Sequence, residues 1–234
     1  MQSGAFSIEK ILGMCEKLMY FLGVNLCFLI SNLPVLLFFL FAGISQVRAC
    51  LPLFLLCMVP FGPALSAVFY CMGRLIDNTE TGVFKNYWHG YKSDWVQKTG
   101  LCFIQMLTIL ILWTNVEFFR FQVPNMLLMI LFALFFGAVV CMTPTLYLLS
   151  SRYEMTNRQI IKDAVILLIT RPVMTLGNLA ALALILMCLE IQAGTTVLFM
   201  ASVYGFLVTY MSRRLLKELE SGEPGSNGSQ VSRP

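Results

Sequence analysis

Residues 18–43 read LMYFLGVNLCFLISNLPVLLFFLFAG, twenty-six positions without a charge. A helix needs about 20 apolar residues to cross the hydrocarbon core of a bilayer, and this stretch exceeds that. Five more uncharged runs follow, at 50–73, 99–116, 121–151, 172–189 and 191–212, with 99–116 at the lower limit of length. Backbone groups cannot face lipid unsatisfied, so such runs must form helices or a closed barrel. Barrel strands would alternate polar and apolar over about 10 residues. These runs are longer and apolar on every face. The sequence therefore predicts an all-α polytopic membrane protein with six transmembrane helices. The composition, 58% hydrophobic and 12% charged with a mean hydropathy of +0.78, lies outside the range of soluble domains.

The basic residues give an orientation. With the N-terminus inside, Lys10 and Lys17 lie inside, as do Arg74, Lys85, Lys92 and Lys98 after the second run. Arg152, Arg158, Lys162 and Arg171 follow the fourth run, and Arg213, Arg214, Lys217 and Arg233 the sixth. Fourteen basic residues are then inside, against Arg48 and Arg120 outside. The positive-inside rule predicts that both termini are cytoplasmic. The formal charge of +4 reflects this topology and contact with anionic lipid heads, and does not point to nucleic acid. Glu9 and Glu16 precede a first run too long for a signal peptide, so no cleaved leader is expected. The eight cysteines form no Cys-x-x-Cys pair and read as small apolar side chains.

Three segments are expected. Residues 1–17 mix Phe6, Ile8, Ile11 and Leu12 with Glu9, Lys10, Glu16 and Lys17, the pattern of an amphipathic interfacial helix. Residues 18–212 form the membrane domain. Residues 213–234, rich in Gly, Ser and Pro towards the end, form a disordered cytoplasmic tail. Within the inner loop 74–98, Phe84, Trp88, Tyr91 and Trp95 recur at helical spacing, flanked by Lys85, Lys92 and Asp94. Such a helix lies flat under the headgroups or packs against the cytoplasmic ends of the spans.

An internal echo accompanies these loops. Phe61-Gly62-Pro63-Ala64-Leu65, then Arg74 and a segment around Lys85, parallels Met142-Thr143-Pro144-Thr145-Leu146, then Arg152 and a segment around Lys162. Both units share one membrane orientation, which makes a parallel internal repeat. Residues 160–170 are more apolar than their counterpart. They form either a separate helix or the start of the fifth span, kinked at Pro172.

Little in the chain carries catalysis. The single histidine, His89, has no acidic residue at zincin spacing, and neither a nucleophile elbow nor a phosphate-binding loop is present. No metal site and no cofactor are expected, and the chain does not read as an enzyme. An enzymatic reading would need His89 beside Asp77 or Asp94 in a closed pocket. Only Glu117 and Glu190 approach the spans, at their outer ends, so the midplane carboxylate usual in ion-coupled carriers is missing. Uncharged polar residues do lie within spans: Asn25 and Asn32, then Gln105, Thr108 and Asn115, then Asn178. They serve either as interhelical hydrogen-bond donors and acceptors or as the lining of a polar cavity. Pro34, Pro63 and Pro144 interrupt their helices, as kinks for packing or as openings onto a site.

Leu33-Pro34, Phe61-Gly62-Pro63-Ala64-Leu65-Ser66-Ala67 and the loop Phe84-Lys85…Tyr91-Lys92-Ser93-Asp94-Trp95 resemble the YesL family of bacterial membrane proteins. The likeness covers roughly residues 8–219. The resemblance implies an inner-membrane location and an accessory role in carbohydrate uptake, beside ABC-type transporter components or a membrane sensor protein. It supplies no catalytic residues. The expected partner surface is Lys85, Trp88, Tyr91, Lys92 and Trp95. The alternative function is a channel or carrier for a neutral hydroxylated solute, through Asn25, Asn32, Gln105, Thr108, Asn115 and Asn178.

Overall fold

A computed structural model describes residues 3–43, 46–47, 50–79, 81–122, 125–153 and 155–221. The described chain is helical: α1 (Ser3–Ser31), α2 (Leu33–Phe41), α3 (Leu51–Cys57), α4 (Phe61–Ile76), α5 (Val83–Lys92), α6 (Trp95–Phe121), α7 (Met126–Arg152), α8 (Asn157–Thr170), α9 (Pro172–Ile191), α10 (Ala193–Val197) and α11 (Met200–Ser221). Among the described residues five stretches are long and apolar enough to cross a bilayer: Lys10–Ser31, Leu51–Ile76, Trp95–Phe121, Met126–Arg152 and Pro172–Ile191. The sixth expected run is divided. Residue 192 separates α9 from α10, residues 198–199 separate α10 from α11, and α11 continues from its apolar half into Arg213 and beyond.

Proline sets several of these boundaries. It stands in the first turn of α2, α3 and α9, where a missing N–H leaves no helical bond unmade. Pro34 therefore opens α2 after a break at Asn32, and Pro63 falls in the first turn of α4 instead of kinking its interior. The interruption in that run lies earlier, at residues 58–60 between α3 and α4. Pro144 alone of the three sits inside a continuous helix, α7. Residues 160–170 belong to a separate helix, α8. The Gln159 side chain accepts from the Thr156 N–H at 3.0 Å at its start, and Arg171 leaves helical geometry before Pro172 opens α9.

The expected boundary at residue 17 is not a break, because α1 runs unbroken from Ser3 to Ser31. At the other end α11 stays helical to Ser221, so the first part of the expected 213–234 tail is helix. Residues 222–234 lie outside the described residues.

Helix α4 is the hub of the bundle. Ala64, Ala67, Val68, Phe69, Cys71 and Met72 are wholly buried, and small residues on α4 and its neighbours let backbones approach. A Cβ on Gly205 of α11 would stand 2.5 Å from Val68 Cγ1, and one on Gly62 would stand 2.7 Å from Cys102 Cβ. Paired contacts fix the directions. Phe28 meets Phe61 while Tyr20 meets the Cys71 carbonyl, so α1 and α4 are antiparallel. Gly205 meets Val68 while Arg213 meets Asp77, so α11 runs parallel to α4. Trp113 lies tilted against Phe136 and Phe119 stacks on Phe132, which makes α6 and α7 antiparallel. The order span, short helix, span recurs in α4–α5–α6 and α7–α8–α9, as the echo in the sequence suggests.

Candidate functional site

Helix α5 follows Gly82, whose φ of +143° is a conformation that side-chain-bearing residues rarely adopt. One face of α5 is fastened to the bundle. Asn86 Nδ2 donates to the Tyr20 hydroxyl at 3.1 Å, the Tyr87 hydroxyl donates to Ser31 Oγ at 3.0 Å, and Lys98 Nζ donates to the Gly90 carbonyl at 3.0 Å. Gly90 lies against the Tyr70 ring, where a Cβ would come to 3.0 Å. Burial pushes the Tyr87 phenol well above its ordinary pKa, so it stays a proton donor to Ser31.

The opposite face carries the aromatic stripe, and it points outward. Phe84 is 70% exposed and Trp88 56%. The Lys92 ammonium stands 4.9 Å over the Trp88 ring, and Trp88 stacks on Tyr91 with centroids 5.9 Å apart and planes 7° apart. Lys85 is exposed, Tyr91 half-buried, and Trp95 exposed at the start of α6 beyond the Ser93–Asp94 turn. Lys85, Trp88 and Lys92 thus lie on the outward side of α5, whereas Tyr91 packs partly against the core and Trp95 falls on α6, because the single helix expected through Trp95 ends at Lys92. The packing contact of α5 is instead made by Asn86, Tyr87 and Gly90, a set that the aromatic stripe obscured in the sequence. The signal was present in their i, i+1, i+4 spacing and in the glycine.

The six polar residues are not gathered in one cavity. Asn25 Nδ2 donates to the Val197 carbonyl at 2.8 Å, and its Oδ1 accepts from the Ala201 N–H at 2.9 Å, joining α1 to the α10–α11 turn. Asn32 donates to the Phe28 carbonyl at 2.9 Å within its own helix break. Gln105 donates to Thr143 Oγ1, linking α6 to α7. Thr108 and Asn115 bond back to Ile104 and Ile111 on their own helix. Asn178 differs. It is 1% exposed, and neither amide atom has a hydrogen-bond partner among the described residues.

Asn178 lines a cavity of about 320 Å³ between α1, α4, α7, α9 and α11, whose walls include Phe28, Leu65, Pro144, Leu182 and Tyr204. No charged residue lines it among the described residues. Pro144 has no N–H, so the Val140 carbonyl at the cavity wall loses its usual donor four residues on. A sugar with many hydroxyls would find few partners here.

A second polar cluster ties the ends of α4 and α7 to the middle of α11. Asp77 Oδ1 lies 3.3 Å from Arg213 Nη2, and Asp77 Oδ2 lies 3.9 Å from Arg152 Nη2. Sequence reading placed both arginines on one side but missed the carboxylate between them. His89 is exposed with its ring 5.5 Å from that of Tyr70, and lies outside the cavity. No group of three or more His, Cys, Asp and Glu that could hold a metal occurs among the described residues.

Fold and site define a multi-pass, all-α membrane protein with an outward aromatic–basic helix and an apolar cavity among its helices that opens at the bundle surface. A family model described as "Protein of unknown function, DUF624" matches residues 21–116, from within α1 to within α6. No curated protein and no solved structure gives a significant match to the chain.

Proposed function

We propose that this is a bacterial inner-membrane protein with cytoplasmic termini that assists ABC-type carbohydrate uptake, or its regulation through a membrane sensor, by binding and not by catalysis. The observation that carries the reading is the outward face of α5. Large aromatic side chains left uncovered beside Lys85 and Lys92 are the chemistry of a contact surface, and aromatic residues dominate binding energy at such surfaces. The motifs on which the YesL resemblance rests, from Leu33-Pro34 to Trp95, all fall within the matched residues 21–116. Cytoplasmic termini at both ends of the chain require the divided α10–α11 run to cross beside the five long stretches. The support for this is that α11 runs parallel to α4 and that Asp77, Arg152 and Arg213 meet at one level of the bundle.

The apolar cavity speaks against passage of a hydroxylated solute, since each unpaired hydroxyl left in it would cost about 1–3 kcal/mol. Two measurements test the proposal. The protein, isolated from its own membranes, should retain ABC-importer or sensor components, and Trp88→Ala with Lys92→Ala should release them. Proteoliposomes holding the purified protein alone should take up no sugar. Uptake by the protein alone, or retention of those components by the double variant, would defeat the reading.

A further inference from the structure

Helix α8 has two opposite faces, and only one of them is packed. Ile160 and Ala164 are buried against the bundle, whereas Arg158, Lys162, Val165, Ile166 and Ile169 are exposed. Spacing of i, i+4, i+7, i+8 and i+11 puts these five on one stripe, turned away from Ile160 and Ala164. The stripe changes character along its length: its first half carries two cations and its second half is aliphatic. Neither cation meets a carboxylate among the described residues. The one carboxylate of α8, Asp163, is half-buried and lies about 100° round the helix from Lys162.

Both ends of α8 are held at one end of the bundle. Residues 153–156 separate it from α7, and Arg171 alone separates it from α9. Arg152 reaches Asp77, and Asp77 reaches Arg213. Two residues before Arg213, Met211 lies against the start of α9, where a Cβ on Gly177 would stand 2.6 Å from its Cε. The last turn of α7 and the first turn of α9 therefore stand at the same level, where two membrane-crossing stretches meet the headgroups. The exposed apolar surface resumes at once beyond Arg171. Ile169 is 74% exposed, and Val173, already within the α9 stretch, is 81% exposed. The medium that covers Val173 is lipid, and it covers the aliphatic half of α8 too. From Lys162 to Ile169 the helix rises about 10 Å, the depth over which an interfacial helix passes from headgroups to acyl chains.

We infer that α8 docks on the bilayer surface beside the bundle, with Arg158 and Lys162 on the phosphate of an anionic phospholipid. Val165, Ile166 and Ile169 then lie against its acyl chains. Two cations without a facing carboxylate select an anionic headgroup over a zwitterionic one. A soluble anion would answer the cations but leave the aliphatic half bare. The surface is separate from the outward face of α5 and does not depend on the accessory role proposed above.

The test uses the purified full chain in phosphatidylcholine nanodiscs with two photoreactive lipids. One is a phosphatidylglycerol and the other a phosphatidylcholine, each with a diazirine near the glycerol end of the same acyl chain. The anionic probe should label α8 peptides at least about tenfold more than the zwitterionic one, while the outer half of α7 takes both alike. Arg158→Gln and Lys162→Gln should each cut that preference about fivefold, and the double variant should bring it to parity. Glycerophosphoglycerol, the same headgroup without acyl chains, should not suppress the labelling. Ile169→Asn should reduce labelling by both probes and leave their ratio unchanged. All these variants should keep the unfolding midpoint of the unaltered chain, because the stripe is not packed. Equal labelling by the two probes in the unaltered protein would overturn the inference. So would a preference that survives the double variant, suppression by the free headgroup, or a lowered midpoint. Cross-linking of α8 to a copurifying protein in place of lipid would assign the face to a protein partner instead. Loss of transporter components in the α5 variants, by contrast, would leave this result untouched.

Discussion

Asn25 holds Ala201: its Oδ1 accepts from the Ala201 N–H at 2.9 Å, while its Nδ2 donates to the Val197 carbonyl at 2.8 Å. The chain breaks between α10 and α11 at this point, and helix ends leave backbone groups without helical partners. One side chain on α1 satisfies a donor and an acceptor there. In a bilayer, where water cannot do so, this fixes where the last helix begins.

Asn25→Leu removes both bonds and leaves the Ala201 N–H and Val197 carbonyl without this partner. Each is worth roughly 0.6–2 kcal/mol in a membrane, so a loss of about 1–4 kcal/mol is expected. Thermal unfolding in detergent measures it, and an unchanged midpoint would show that Asn25 does not hold α11. Gln105→Leu should cost less, about 1 kcal/mol, because Thr143 keeps its bond to the Val139 carbonyl and Gln105 Oε1 is already unpaired.

The close approach of α11 to α4 gives a size test. Gly205→Ala would place a methyl 2.5 Å from Val68 Cγ1, and overpacking of this kind costs about 1–3 kcal/mol. Val68→Ala in the same chain should restore most of the stability. If the double variant is no better than Gly205→Ala, the two helices do not meet at these residues.

Asp77 is bracketed by Arg152 and Arg213, and all three side chains are partly exposed, at 43%, 20% and 37%. Solvent screening keeps such pairs small, within about 1 kcal/mol each. Asp77→Arg should therefore lower stability modestly, and Arg213→Asp in the same chain should recover it. A double-mutant cycle reads the coupling. Absence of coupling would remove the evidence that the end of α4 lies beside Arg213 of α11.

The two faces of α5 should respond differently. Tyr87→Phe loses the bond to Ser31 and should cost about 1 kcal/mol of stability. Trp88→Ala, on the outward face, should change stability by no more than about 0.5 kcal/mol, so any effect on partner retention is not a folding effect. A large drop in unfolding midpoint for Trp88→Ala would mean that the stripe supports the fold.

The exposed aromatic–basic pair of Trp88 and Lys92 was legible because both lie within one short helix, where spacing alone places them on a face; Trp95, across the Ser93–Asp94 turn on α6, was not. Nor was the cavity. Its walls come from five helices, and a leucine facing a void has the same place in a hydropathy pattern as one facing lipid. Pro63 and Pro144 illustrate the same limit: both interrupt an apolar run, yet one sits in a first turn and the other in a helix interior. The difference depends on where the helix starts, which for α4 follows a break at residues 58–60.

Charge-free runs alone determined that the chain crosses a membrane as helices, because lipid offers the backbone no partners and leaves it no other open-ended choice. Tertiary structure alone decided what each buried amide does. Asn25 and Asn178 are the same residue in similar apolar surroundings, but Asn25 meets backbone groups 172 and 176 positions away, and the Asn178 amide meets no partner among the described residues. Hydrogen bonds need a partner within about 3 Å, and the sequence does not say which distant atoms the folded chain brings that close.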